Sequence, residues 1–383
     1  MAGQNDARGM NSEIKILFAA DFHLGFKSDE IPVPDYCRLN TFRRVGSIAR
    51  YHDVLLIGGV LIDELSAGGA EFDIVREEFR SIRHAGTEIC YAPARAEAER
   101  EDMRSFLADC NATRVFSSTG NQAPYQYVKN GQMLYVYGMN ASPGADIFAV
   151  QKISEDGFHI GLFNVGVGIE NGSVKDLAAI IQKDARRSFG LDFYAIGGCH
   201  SFKMIRAMDR IIGVCPGTPE AISFSECGDR YIISIVVADN RITQIKRLTI
   251  NSVRLHKDEI DCSRLVTMGP IKEILENNQS KKAVQRLVLK GERDFVLRLH
   301  DLQKYKNDFF HLDIIDESVP TIDALIEEFQ YENTLRGEFY KMLKERMKES
   351  GALQDVDLRD LSATLARITR NGFAGLEEWL CGL

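Results

Sequence analysis

The stretch Ile14-Lys-Ile-Leu-Phe-Ala-Ala-Asp21-Phe22-His23-Leu-Gly25 is an apolar strand-like run that ends on an Asp-x-His pair. Two further runs end in a similar way. Val54-Leu-Leu-Ile57 leads into Gly58-Gly59-Val60-Leu61-Ile62-Asp63, and Phe193-Tyr-Ala-Ile196 leads into Gly197-Gly198-Cys199-His200. Apolar runs without polar alternation are what strands covered on both faces look like. Strand ends that deliver Asp and His to one edge of a sheet bring together the oxygen and imidazole donors that divalent cations prefer.

Outward from these runs, strand candidates at 14–20, 53–57, 88–92, 133–139, 157–164, 193–197, 210–215 and 231–238 alternate with helix candidates at 37–51, 72–85, 98–109 and 174–189. The alternation predicts a layered α/β domain over residues 14–250. The pattern then changes. Segments 284–291 and 309–315 read as two strands flanking a helix at 294–305, a small α+β module over 251–318. From Thr321 onward apolar residues recur at helical spacing (Ile322, Leu325, Ile326, Phe329, then Phe339, Leu343, Met347), which predicts a helical C-terminal region over 319–383. Residues 1–13 are polar and Gly-rich and read as a disordered leader without a signal-peptide core.

Composition narrows the class. No apolar run approaches the roughly 20 residues of a membrane-spanning helix. The eight cysteines are scattered with no CxxC pair, as expected of reduced thiols in a cytoplasmic protein. A net charge of −8 argues against indiscriminate nucleic-acid binding but leaves room for a local basic groove. The pairs Arg43-Arg44, Arg186-Arg187 and Lys281-Lys282 are candidates for phosphate contact, or simply solvated faces.

The order of these motifs resembles the calcineurin-like metallophosphoesterases, in particular the SbcD-type DNA repair nucleases and the related YhaO-like proteins. Ile212-Gly-Val-Cys-Pro216-Gly217-Thr218-Pro219-Glu220 is similar to the Tyr-Pro-Gly-Ser-Pro-Glu turn of SbcD-type nucleases, and Phe224-Ser-Glu226 then leads into a strand, as it does there. The stretch 251–318, with Leu287-Val-Leu-Lys-Gly291, resembles their capping domain. The resemblance spans about residues 14–318. It implies a four-layer α/β/β/α sandwich with a small α+β capping domain and a helical tail.

In that family two cations about 3.5–4 Å apart activate water and screen the phosphate. The resemblance places Asp21, His23 and His200 at three ligands of the first metal. The remaining positions depart from the pattern. The bridging Asp of Gly-Asp-x-x-Asp is Val60, while Asp63 fits its second Asp, normally a structural residue. The Gly-Asn-His-Asp motif aligns with Pro93-Ala94-Arg95-Ala96, so the Asn ligand is Ala94. The second metal's two histidines are Asn164 and Gly198. The proton-donating His is Arg95, which stays charged near neutral pH, so no catalytic residue is expected.

Two readings of the surviving trio stand side by side. Asp21, His23 and His200 hold one divalent metal, Mn or Zn, or they are hydrogen-bonded polar residues of a vestigial cleft with no cofactor. Arg95 is a candidate to place its guanidinium near Asp21 and supply the cation's charge. By resemblance, the expected function is a non-catalytic scaffold, DNA-binding or regulatory subunit of an SMC-like (SbcC-type) ATPase, bound through the C-terminal helices, with DNA and a second copy of the chain as further partners and no membrane. The alternatives are a mononuclear metal-dependent DNA exonuclease or phosphodiesterase, and a stand-alone pseudoenzyme holding a nucleotide or phosphate in the old cleft.

Overall fold

The computed structural model describes residues 12–28, 30–63, 69–110, 113–116, 123–141, 152–165, 190–207, 209–348 and 362–367. The leader expected over 1–13 lies almost wholly outside them, as do the helix expected at 174–189 and the Arg186-Arg187 pair. The chain divides into two compact units between Arg254 and Leu255.

In the first unit, strand β1 (Ile14–Ala20) pairs in parallel with β2 (Val54–Gly59), β2 with β3 (Glu88–Pro93), and β3 with β4 (Thr113–Val115). Antiparallel β11 (Tyr231–Ala238) and β12 (Arg241–Thr249) complete a six-stranded sheet of order β12-β11-β1-β2-β3-β4. The second sheet, also of six strands, runs β5 (Tyr125–Lys129), β6 (Gln132–Ala141), β7 (Phe158–Val165), β8 (Phe193–Gly197), β10 (Arg210–Cys215) and β9 (Lys203–Ala207).

Side-chain alternation explains why the strand runs read as continuously apolar. Along β1, Ile14, Ile16, Phe18 and Ala20 enter the core between the sheets, while Leu17 and Ala19 enter a second core on the other face. Along β2, Val54 and Leu56 point inward and Leu55 and Ile57 outward. The outer core of the first sheet is closed by α1 (Asp35–Ala49), α2 (Ala70–His84) and α4 (Glu101–Asp109), through Phe42, Val45, Val75, Phe79, Met103 and Phe106. The second sheet's outer face carries its own buried cluster, including Tyr137, Phe163 and Ile196. Three layers of an α/β sandwich are therefore described.

Several boundaries differ from those expected. The helix expected at 98–109 is broken at Arg100, whose extended backbone separates α3 (Arg95–Glu99) from α4. Strands β5, β9 and β12 are edge elements rich in polar residues, so the apolar-run criterion passes over them.

The second unit holds a three-stranded sheet of β13 (Arg254–Asp261), β14 (Ser280–Lys290) and β16 (Phe309–Asp316), with β14 and β16 parallel. Helix α5 (Gly269–Asn277) precedes β14. The helix expected over 294–305 is shorter. The short strand β15 (Glu292–Arg293) pairs with β17 (Val319–Pro320), and a single helical turn, α6 (Leu299–Gln303), follows. Helices α7 (Ile322–Phe329) and α8 (Leu335–Lys348) pack around Tyr340 with Leu365.

The two sheets of the first unit meet at the carboxyl ends of β2 and β8. A Cβ added to Gly197 would stand 2.6 Å from the Gly58 carbonyl carbon and 2.7 Å from Gly59 N. Only glycine tolerates that backbone approach. Gly197→Ala is expected to lower the unfolding free energy by about 1–3 kcal/mol through overpacking; urea denaturation measures it, and an unchanged midpoint would show that the seam can open.

Candidate metal half-site

Because β1, β2 and β3 are parallel, their last residues arrive at one edge, and the Gly58–Gly197 contact brings the end of β8 to the same place. The loops after β1 and β2 continue side by side. His23 N donates to Val60 O (3.2 Å), Leu24 N to Leu61 O (3.0 Å) and Asp63 N to Leu24 O (2.9 Å). This short ladder fixes Asp63 opposite His23. Asp21 and His23 sit in the left-handed backbone region, at φ 53° and 49°. Non-glycine residues held there cost of order 1–3 kcal/mol and cluster at functional sites.

The Asp21 carboxylate is fully buried at the seam between the sheets. Its Oδ2 accepts from Gly198 N (2.8 Å), and Oδ1 accepts from Gly198 N (3.1 Å) and more weakly from Val60 N (3.4 Å). A side chain on Gly59 would run into this carboxylate. Burial raises the Asp21 pKa, opposed by His200 and His23 and by these N–H groups.

Both imidazoles are keyed by a carboxylate on Nδ1. His23 Nδ1 lies 3.1 Å from Asp63 Oδ2, and His200 Nδ1 lies 3.2 Å from Glu226 Oε1. The rings stand edge to face, 5.1 Å apart. His23 Nε2 is buried and has no hydrogen-bond partner among the described residues. One donor atom from each of Asp21, His23 and His200 lies within 4.8 Å of the others. A carboxylate that orients an imidazole from behind is the usual support of a metal-binding histidine, because it fixes the tautomer that presents Nε2. An orphaned buried Nε2 aimed from such a dyad fits a cation, so these three residues can hold one, which would supply Lewis acidity and lower the pKa of bound water.

Glu226 belongs to a network that anchors His200. It accepts from Thr218 Oγ1 (2.6 Å) and Ile222 N (3.1 Å). Arg230 Nε donates to Thr218 O (2.9 Å), and its Nη2 donates to His200 O. Gly217 adopts φ +79°, and a Cβ there would lie 2.7 Å from His200 O. The Pro216-Gly217-Thr218 turn thus cradles the backbone of His200. Burial pulls the His200 pKa down, but the Glu226 hydrogen bond and the Asp21 charge outweigh it and leave the value raised. Glu226 is lowered: burial opposes ionisation, and the bonds from His200 and Thr218 overcome it. Asp21 and Glu226 both favour the protonated form of His200.

Arg95 does not take that part. It lies at the start of α3, its side chain 55% exposed, with Nε on Glu99 Oε1 at 2.7 Å. The expected pairing with Asp21 is corrected: the groups that face Asp21 are the imidazoles of His200 and His23. At the positions that depart from the family pattern, Val60 and Gly198 turn backbone N–H groups toward Asp21, and Ala94, at the N-cap of α3, donates its N–H to Gly59 O (3.3 Å) and accepts from Ala98 N (2.8 Å). Asn164 is buried and donates Nδ2 to Pro93 O (3.3 Å), and its Oδ1 has no partner among the described residues. It therefore ties β7 of one sheet to β3 of the other. The Arg44 of the first basic pair is engaged with Ile250 O (2.6 Å).

Sequence reading missed Glu97. Its buried carboxylate accepts from Leu61 N (3.1 Å), Ile62 N (2.9 Å) and the Tyr91 hydroxyl, clamping α3 onto the loop that carries Val60. A Glu one turn into a short helix carries no motif. Burial pushes its pKa up to about 7, only partly offset by these donors.

No protein-family model matches the chain, and no curated protein matches it. Among solved structures it is similar to TT1561 of Thermus thermophilus, with 14% identity over 62% of this chain and 99% of that chain and a TM-score of 0.38. A superposition that loose carries neither a fold assignment nor a function.

Asp63→Asn and Glu226→Gln are each expected to weaken Mn(II) or Zn(II) binding about 10- to 100-fold, and His23→Ala to abolish it, by calorimetric titration. Equal affinity in wild type and Glu226→Gln would remove the carboxylate–imidazole support. Glu97 predicts a separate pH effect. Its folded pKa lies above its ordinary value of 4.5, so its contribution is complete below about pH 4.5 and is lost as pH rises through about 7. Relative to Glu97→Gln, the wild type is expected to lose on the order of 3 kcal/mol of unfolding free energy across that window. Parallel stability curves for the two proteins would refute this.

Proposed function

We propose that the chain is a degenerate metallophosphoesterase-like protein of SbcD-related descent. It keeps one metal half-site and lacks the means for two-metal hydrolysis. The observation that carries this reading is the pairing of intact, carboxylate-keyed imidazoles at Asp21, His23 and His200 with side chains that cannot ligate at Val60, Ala94 and Gly198. A bridging carboxylate must reach both ions, and valine has no donor. At the proton-donor position, Arg95 is exposed and engaged with Glu99.

In this reading the protein serves as a scaffold, DNA-binding or regulatory subunit of an SMC-like ATPase, with residues 251–318 as its cap and the C-terminal helices as the partner-binding arm. The exposed Tyr331, Leu335 and Met342, at and before α8, give that arm apolar contact surface. The role as a subunit rests on the resemblance of motifs.

One observation favours a second reading, a mononuclear metal-dependent phosphodiesterase. The orphaned Nε2 of His23 and the keyed His200 make a three-donor site of the kind that, with an open position for water, catalytic metals use. Elemental analysis beside a nuclease assay separates the two. The proposal expects at most one Mn or Zn per chain and no Mn(II)-dependent cleavage of duplex or single-stranded DNA above background. Robust cleavage abolished by His23→Ala would establish the mononuclear enzyme instead.

A further inference from the structure

The half-site occupies the carboxyl ends of the parallel strands. The opposite end of the same unit holds a second concavity, of about 460 Å³, on the open side of the sandwich. It lies where edge strand β12 of the first sheet faces edge strand β9 and its neighbour β10 of the second. Phe158, which begins β7, and Arg210, which begins β10, mark that end. The volume falls in the range of small-ligand sites, about 300–1,000 Å³.

Its lining has two parts. Ile211, Ile242 and Ile245 are partly buried side chains packed against the inter-sheet core, and they form an apolar floor with the edge of Phe158. Arg206, Arg210 and Arg241 line the same cleft. Arg206 is the cross-strand partner of Ile211, which places both on the face turned toward β12. Two carboxylates, Asp192 and Asp209, also line the cleft, and a third, Asp156, accepts from the lining residue Asn240 at 3.0 Å. Asp192 is already engaged, accepting from His159 N at 2.8 Å.

The use made of neighbouring arginines sharpens the contrast. Arg247, farther along β12, is committed: its guanidinium lies over the rings of Phe202 (5.0 Å) and Tyr231 (4.5 Å) and closes the edge there. The guanidinium groups of Arg210 and Arg241 have no ion pair or hydrogen bond with any described residue, only their backbones being paired in the ladders. Guanidinium groups left unpaired beside an apolar floor match a phosphate in fork geometry, and the floor suits a planar apolar body.

We propose that this cleft binds a small phosphomonoester with an apolar body, of the nucleoside monophosphate class, with Arg210 and Arg241 on the phosphate. The site is independent of the metal half-site and does not rest on the function proposed above. Calorimetric titration of the full chain with AMP tests it, with adenosine and inorganic phosphate as separate arms. Saturable one-site binding of AMP is expected, about tenfold or more tighter than either fragment, because both the phosphate and the apolar body contribute. The double variant Arg210→Glu/Arg241→Glu is expected to weaken AMP at least about tenfold with an unchanged melting temperature, whereas His23→Ala leaves AMP binding intact. Three outcomes overturn the proposal: no saturable AMP binding at millimolar concentration, phosphate binding as tightly as AMP, or AMP binding lost in His23→Ala but kept in the double variant. Loss of duplex DNA binding in the double variant without any AMP binding would also overturn it, assigning the arginines to a nucleic-acid backbone.

Discussion

The burial of the Asp21 carboxylate at the seam between two sheets is the constraint on which the rest of the first unit turns. An ionised carboxylate taken out of water costs several kcal/mol unless it is hydrogen-bonded and its charge is met. The fold meets the first need with backbone. Gly198 N–H comes from the second sheet and Val60 N–H from the first, so the carboxylate bonds the two sheets at their carboxyl ends. That is possible only because Gly58 and Gly197 let the backbones approach, and because Gly59 leaves room for the carboxylate itself. The glycines around β2 and β8 are the geometric condition for the site.

The second need, opposing charge, explains the network behind His200. Its imidazole stands near two carboxylates, Asp21 in front and Glu226 behind, and both favour its protonated form. The Pro216-Gly217-Thr218 turn and Arg230 hold its backbone carbonyl, so the ring is fixed from three directions. Because a ligating imidazole must be neutral, metal affinity at such a site would rise with pH. Proton and metal are alternative answers to one buried charge.

The fold was legible where the chemistry is local. Strands β1, β2, β3 and β8 are covered on both faces, and their uninterrupted apolar runs say so. Asp21, His23 and His200 were legible because each follows such a run directly. Edge strands β5, β9 and β12 were not, since one open side admits Lys, Arg, Gln and Thr at the spacing of a loop. The supporting residues were least legible. Asp63 lies 40 positions from His23, and Glu226 lies beyond a turn and a bend from His200. Glu97 shows its purpose only when Leu61 and Ile62 turn their N–H groups toward it. Arg95 misled for the same reason. Its place in the sequence suggested proximity to Asp21, but helical pitch sets it one turn from Glu99 on an exposed face.

The departures from the two-metal pattern are coherent under the proposed descent. In the family a second cation would draw ligands from the ends of β2, β3, β7 and β8, and so would brace one sheet against the other. Here the ends of β3 and β7 are braced without it, by the Asn164 amide donating to Pro93 O across the seam. The end of β2 is held by Glu97, whose carboxylate gathers the Leu61 and Ile62 N–H groups. A loop that no longer has to present a bridging carboxylate can be fixed by an ordinary buried hydrogen-bond cluster. Ligands lost singly would leave converging carboxylates to repel one another; lost together, with amide and backbone bonds in their place, they leave a seam that closes without a second ion. Under the proposed descent the first half-site persists because Asp21 also serves the seam, through its bonds to Gly198 N and Val60 N. With Asp21 in place, the two imidazoles face a buried carboxylate.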